Sequence, residues 1–303
     1  MFFRAARRCH HLMNRIRLGT RGSPLALVQA NIVRDALIAA HAVDVEIVVI
    51  RTTGDVVQDR PLAEIGGKAL WTKELDRALL GGAIDCAVHS MKDVETIRPT
   101  AIAIVAMLPR ADVRDRLIGA ASIADLPQGA TVGTSSPRRR AQLLRLRPDL
   151  HVVSFRGNVD TRLARLAAGE ADATLLAAAG LARLGRPDVG TAIELDIMLP
   201  APAQGAVGIE ARSDDAGFRA MLGVLDHAPT HAAVLTERAL LAALHAGCHS
   251  PVAALAGDDG LIRAELFTED GRDHVAGTGD DPAELARDLL ARAPHTVREL
   301  FAA

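Results

Sequence analysis

Short β-branched runs alternate along the chain with stretches whose apolar residues recur every three to four positions, which predicts an α/β protein with a largely parallel sheet. Residues 16–19 read as a strand. Ser23 and Pro24 then supply an N-cap and a first-turn proline for a helix over 24–40. A second strand at 45–50 leads into the polar loop TTGD at 52–55. A helix over 71–80 stops at Gly81 and Gly82, and 84–88 is a buried strand that runs straight into HSMKD. A second block of the same kind begins near Asp112, with strands at 130–133, 151–154 and 173–176. Ser136 and Pro137 cap the helix that carries Arg138 to Arg147, and Asn158 or Asp160 opens another through Ala168. The chain returns to the first block at 200–205, and 206–212 makes one more strand. An Ala/Leu-rich helix over 231–246 leads to the loop AGCHSP, to strand-like segments near 261–266, and to an amphipathic helix from Pro282 onward.

This order divides the chain into a discontinuous first domain (14–108 with 204–224), a second (109–203) and a smaller α+β third (225–303). A chain of 303 residues, 49% of them hydrophobic, can bury cores for two or three such units. Apolar runs such as 101–108 stop well short of the ~20 residues needed to cross a bilayer. In open α/β sheets, ligands sit beyond the carboxyl ends of strands. Three polar clusters fall there, at 21–23, 89–93 and 134–139, so the expected site is a cleft between the two α/β blocks.

Charge sharpens that expectation. The formal net charge is only −2, yet Arg138, Arg139, Arg140, Arg145, Arg147, Arg156, Arg162 and Arg165 face only Asp149 and Asp160 between positions 134 and 165. Such a patch suits an anion, because guanidinium forks match carboxylate or phosphate oxygens. VGTSSPRRRAQLL places three hydroxyls at a helix start with Arg138 and Arg139 in its first turn, where cations oppose the helix dipole unless an anion joins them. The plainer reading is a capped, solvated helix. Asp93 follows a buried strand, where a carboxylate either moves protons and holds a developing cation or caps the next turn. His89 reads as a hydrogen-bonded structural histidine and Cys86 as core filler. Cys248, between Gly247 and His249 in an accessible loop, is placed to become a reactive thiolate or to remain a bystander.

Cys9, Cys86 and Cys248 are an odd number without a secretory signal, which argues for reduced thiols in the cytoplasm. No CxxC or HExxH element supports a metal site. The first fifteen residues are arginine-rich and acid-free, slightly like an organelle transit peptide. A disordered or misassigned start, with Met13 as an alternative initiator, is the favoured reading.

In order, the motifs closely resemble those of the porphobilinogen deaminase family. They are RLGTRGSPLALVQA (17–30), TTGD (52–55), GGKALWTKELDRALL (66–80), DCAVHSMKDV (85–94), VGTSSPRRRAQL (132–143), RGNVDTRL (156–163), LLAAAGLARLG (175–185), PAQGAVGIEAR (202–212) and AGCHSP (246–251). The resemblance implies two periplasmic-binding-protein-like α/β domains around a cleft plus a smaller C-terminal α+β domain. It also implies a dipyrromethane cofactor held by a thioether to Cys248, stepwise addition of four porphobilinogen molecules with loss of ammonia, and release of hydroxymethylbilane without a metal. By the same resemblance Asp93 is the catalytic carboxylate. Substrate and cofactor binding falls to Arg21, Ser23, Lys92, Thr134, Ser135, Ser136, Arg138, Arg139, Arg156, Gly157, Arg162 and Arg183. Lys68, from a loop segment, and Gln204, from an interdomain strand, are carried over with them. The implied protein is a monomer. Trp71, Glu95 and Pro202 depart from residues common in the family, none of them at the chemistry.

Two other readings compete. A periplasmic-type binder of anionic solutes would share the cleft but would need neither Cys248 nor a covalent group. A nucleic-acid binder using Arg138 to Arg147 lacks a broad basic surface, and 2% aromatic residues leave few stacking platforms. No membrane partner is expected either.

Overall fold

Residues 15–51 and 72–301 are described by a computed structural model. The first fourteen residues with Cys9 and Met13, the TTGD motif, Lys68 and Trp71 lie outside them.

The first lobe opens with β1 (Arg15–Arg21), whose alternation buries Ile16 and Leu18. The chain turns at Gly22 and enters α1 (Pro24–His41), capped by Ser23, whose hydroxyl accepts the Ala26 N–H at 3.3 Å. Gln29, Ala30, Val33 and Leu37 form the helix's buried stripe. Then follow β2 (Asp44–Ile50), α2 (Lys73–Leu80), β3 (Cys86–Ser90), a 3-10 turn (Met91–Asp93) and β4 (Ile102–Met107).

The second lobe contains β5 (Asp115–Ile118), β6 (Thr131–Gly133), α3 (Pro137–Leu146), β7 (His151–Val153), α4 (Val159–Ala167), β8 (Ala173–Ala177), α5 (Ala178–Arg183) and β9 (Thr191–Ala192). The chain then returns to the first lobe as β10 (Val207–Arg212) and α6 (Ala216–Gly223). The third lobe is α7 (Ala228–Ala243), a meander of β11 (Val252–Ala256), β12 (Ile262–Phe267) and β13 (His274–Gly279), then α8 (Pro282–Arg292) and α9 (His295–Arg298).

The first sheet runs β2-β1-β3-β10-β4 and the second β7-β6-β8-β5-β9, so the two share one design. Each holds two parallel ladders and one reversed strand, β10 or β5, paired antiparallel on both sides. The reversed strand is the first one laid down after each crossing between lobes. A sheet read only as largely parallel misses it. The strands at 102–107, 115–118, 252–256 and 274–279 show no clear apolar–polar alternation, because IAIVAM and VAALA are apolar throughout, DRLI is four residues long and HVAGTG is interrupted by glycine.

The crossings lie against one another: Ala111 N–H donates to the Gly205 carbonyl at 3.3 Å. Gly205 has φ +85°, and a Cβ there would stand 2.6 Å from the Ala111 oxygen, so only glycine fits this contact. The third lobe packs its own core of leucines from α7 and α8 under the meander. It meets the second lobe through Ala141, Leu199, Ala253 and Phe267, all buried. Among the described residues, no helix is long and apolar enough to cross a membrane.

Candidate active site

The ends of β1, β3 and β6 and the loop after α7 converge on a cleft of about 740 Å³, within the usual range for small-molecule sites. The geometry follows from local rules. β3 is buried and ends in the 3-10 turn, which lifts Lys92 and Asp93 off the sheet edge. Ser136 caps α3 by accepting the Arg139 N–H, so Arg138 and Arg139 start the helix facing the gap. Asn158 caps α4 by accepting from Thr161 N–H, which brings Gly157 and Arg162 to the opposite wall.

Twelve of the anticipated residues line this space: Arg21, Ser23, Lys92, Asp93, Ser135, Ser136, Arg138, Arg139, Gly157, Arg162, Gln204 and Cys248. Three do not. Thr134 is buried, and its hydroxyl accepts the Ser136 N–H at 3.2 Å, which makes it part of the turn rather than of the wall. Arg183 donates to the Gly205 carbonyl at 2.7 Å and so ties the second lobe to the crossing. Arg156 precedes Gly157 but is not among the lining residues. Lys68 lies outside the described residues.

The dense arginine run also divides. Arg147 chelates Asp149 and donates to the carbonyls of Ile123, Ala124, Leu126 and Pro127, and Arg165 pairs with Glu170 and stacks 4.2 Å over the Phe155 ring. Those arginines build the lobe. The helix-start arginines meet an anion that comes from the protein itself. Buried Asp115 accepts from Arg138 at 2.8 Å and from Arg139 at 2.7 Å. Burial alone would push its carboxyl up, but the two guanidinium groups outweigh that and hold it well below the usual carboxylate range.

Gln204 then joins the lobes. Its amide donates to Asp115 at 2.9 Å and to the Val113 carbonyl at 2.7 Å, while its oxygen accepts from Lys92 Nζ at 3.4 Å. Burial brings the Lys92 ammonium down to about 8; Asp93 and Asp115 oppose this, and Arg139 and Arg138 add to it. Arg162 is brought down to about 10 by burial and by Arg139, against the pull of Asp93.

Cys248 is exposed and lines the cleft. A ready thiolate is another matter. Protein crowding displaces water around the sulfur, Asp93 and Glu95 add negative charge, and together they push the thiol up to about 12. These causes favour the protonated thiol over the thiolate. Cys86 is fully buried, in keeping with a core role. His89, also buried, sets Nε2 3.0 Å from Glu210 on β10, a structural pairing. Burial opposes charge on Glu210, yet His89 and Arg98 hold its carboxyl down to about 2.

Sequence reasoning missed Asp115, Arg51, Thr96 and Arg238, of which the last three also line the cleft. Asp115 sits in ADVRDRL, which reads as a string of surface charges; only the β5 ladders bury it. No group of three or more His, Cys, Asp or Glu residues among those described is placed to hold a metal.

The cleft fits an acid-bearing dipyrromethane. Among the described residues its wall carries Arg21, Arg51, Lys92, Arg138, Arg139 and Arg162 against Asp93, with Arg238 turned to backbone carbonyls. Among the described residues the buried Nε atoms of Arg138 and Arg139 have no hydrogen-bond partner.

Comparison with known proteins agrees. Residues 16–220 match the family described as porphobilinogen deaminase, dipyromethane cofactor binding domain, and residues 231–293 match porphobilinogen deaminase, C-terminal domain. The porphobilinogen deaminase of Sphingopyxis alaskensis is 58% identical, over 95% of this chain and 97% of its own. That of Paracoccus denitrificans is 51% identical, over 93% and 95% respectively. Among solved structures, an ancestral cationic amino acid solute binding protein overlaps 70% of this chain and 88% of its own at 15% identity with a TM-score of 0.44. Both regions of one family, matched in order, and identity above one half along nearly the whole length leave a single conclusion: the chain belongs to the porphobilinogen deaminase family.

Proposed function

We propose that this cleft condenses four porphobilinogen molecules head to tail, one at a time, losing ammonia at each addition, on a dipyrromethane carried by Cys248 through a thioether. Water then releases the linear hydroxymethylbilane. One observation carries the assignment of roles: Asp93 and Cys248, 155 positions apart by their numbers, line the same cation-walled cleft.

When bound, the dipyrromethane supplies a nucleophilic pyrrole carbon on which the first addition begins. The rest falls to the chain's own residues. Each pyrrole brings two carboxylates, so six rings carry about twelve negative charges, which low-dielectric walls lined with arginine attract and neutralise. Arg138 and Arg139 are pre-aimed by Asp115, and Arg162 is fixed by its Nε donating to the Gly157 carbonyl at 3.0 Å. They orient substrate without reorganising. Asp93 accepts pyrrole N–H groups and stabilises the cation left on the substrate as ammonia departs, then takes the proton shed when the attacked ring regains aromaticity. Lys92 and Gln204 hold carboxylates at the lobe crossing.

The protein is read as a cytoplasmic monomer acting on a small molecule, with neither nucleic acid nor membrane as partner. The net charge of −2 supports the absence of a nucleic-acid partner by offering polyanions no broad basic surface.

Intact mass is the direct test. Wild type should exceed its sequence mass by one dipyrromethane, and Cys248→Ser should not. Asp93→Ala should carry the adduct and turn over ~10²–10⁴-fold more slowly. An adduct on Cys86, or normal turnover by Asp93→Ala, would overturn these assignments.

A further inference from the structure

Arg238 lies on α7 in the third lobe and is only 6% exposed, yet the hydrogen bonds it makes are to neutral groups. Its Nη1 donates to the Val94 carbonyl at 3.2 Å, and its Nη2 donates to the carbonyls of Glu95 at 2.5 Å and Thr96 at 3.0 Å. Burying a guanidinium without a carboxylate in contact is costly, and a neutral side chain would fill the same place at less expense in free energy. The three carbonyls it takes belong to the residues directly after Asp93, where the chain forms neither helix nor strand and offers them no ladder.

A second bridge runs beside the first. Thr96 Oγ1 donates at 2.7 Å to the carbonyl of Ala246, two residues before Cys248. From the other side, the first lobe grips the same segment through Glu95, whose carboxylate accepts from Arg98 at 2.9 Å. Arg98 in turn is held by Asp76 on α2 and Glu210 on β10. Residues 94–96 are thus clamped between the two lobes that carry the reactive carboxylate and the anchoring sulfur.

We propose that Arg238 is a positioning residue that, with Thr96, fixes the Asp93 turn at a set spacing from Cys248. This rests on the roles given above to Asp93 and Cys248. It places the register of the reaction in the third lobe: the sheet under Asp93 supports the turn, while α7 determines where the carboxylate stands relative to the anchor. Both Nη atoms point at backbone, so Arg238 acts through Asp93 and not by holding substrate carboxylates.

The test compares Arg238→Met, Arg238→Lys and Thr96→Val with wild type, each purified with its covalent adduct verified by intact mass. In Arg238→Met, kcat should fall by ~10²-fold, the loss that a displacement of about 1 Å produces, with KM for porphobilinogen unchanged. Arg238→Lys should recover part of kcat, since an ammonium serves one or two carbonyls where the fork serves three. Thr96→Val should lower kcat by less than Arg238→Met. Mass spectra of the enzyme-bound intermediates should show all four additions slowed alike, because Asp93 serves each one. If Arg238→Met fails to fold, the Lys and Thr96 variants carry the same kcat and intermediate readouts. A raised KM at normal kcat would make Arg238 a direct carboxylate binder and overturn the proposal, as would slowing of one addition only or normal turnover. Absence of the adduct from wild type would instead bring down the reading of the cleft itself.

Discussion

Replacing Asp115 with Asn keeps the volume and removes the charge on which the helix-start arginines converge. Three donors meet this carboxylate, Arg138 Nη2 at 2.8 Å, Arg139 Nη2 at 2.7 Å and Gln204 Nε2 at 2.9 Å, and all three side chains are buried. An asparagine amide accepts through one oxygen and presents its NH₂ to the other guanidinium, donor against donor, while two buried cations lose their shared counter-ion. Breaking a buried ion pair from one side costs ~3–5 kcal/mol, a large share of the 5–15 kcal/mol that stabilises a typical domain. The second lobe should therefore unfold at clearly lower urea concentration. The walls of the cleft should loosen as well, raising KM for porphobilinogen. The sign of the pH effect follows from the depressed carboxyl: in wild type the contribution is full above the unfolded value of about 3.9 and is lost as pH falls below it. Asp115→Asn should thus be less stable than wild type at pH 7, with the gap closing in acid. Urea titrations at pH 7 and in acid, with Asp288→Asn on the exposed face of α8 as a control that leaves the midpoint nearly unmoved, would measure this. An Asp115→Asn midpoint equal to wild type at pH 7, with normal KM, would refute the claim that this carboxylate organises the arginine wall.

Two further outcomes follow from the cleft's electrostatics. Lys92, brought down to about 8, should lose its charge as pH rises through that value, so kcat/KM should decline on the alkaline side; Lys92→Arg should flatten the limb, and an unchanged limb would exclude Lys92 as its source. In protein prepared without cofactor, Cys248 at about 12 should hold ~10³-fold less thiolate near pH 8 than an ordinary thiol. Greater nucleophilicity restores ~10^1.5 of that, so iodoacetamide should react ten- to a hundredfold more slowly than with a free thiol, and Asp93→Asn should speed it; alkylation at the ordinary rate would contradict the crowded, anionic setting.

The chain's local pattern was enough for everything that depends on neighbours in sequence. Ser23 with Pro24 and Ser136 with Pro137 announce α1 and α3, because a hydroxyl before a proline satisfies a helix start without help from elsewhere. The run of apolar residues before HSMKD announces β3, and an accessible loop was legible in AGCHSP. Contacts between distant positions were not legible. Arg138 and Arg139 looked like a vacant anion cradle, and only the pairing of β5 with β8 and β9 brings Asp115 beneath them. Nor does the sequence show that the Thr134 hydroxyl accepts the Ser136 N–H or that Arg183 donates to the Gly205 carbonyl. The upward push on the Cys248 thiol comes first from burial and then from Asp93 and Glu95 of another lobe. Periodicity and capping record how a segment meets its own backbone and its own buried face. The partner of a charge, the burial that moves its pKa and the clamp on the Asp93 turn are set by which strands lie side by side, and that only the folded chain decides.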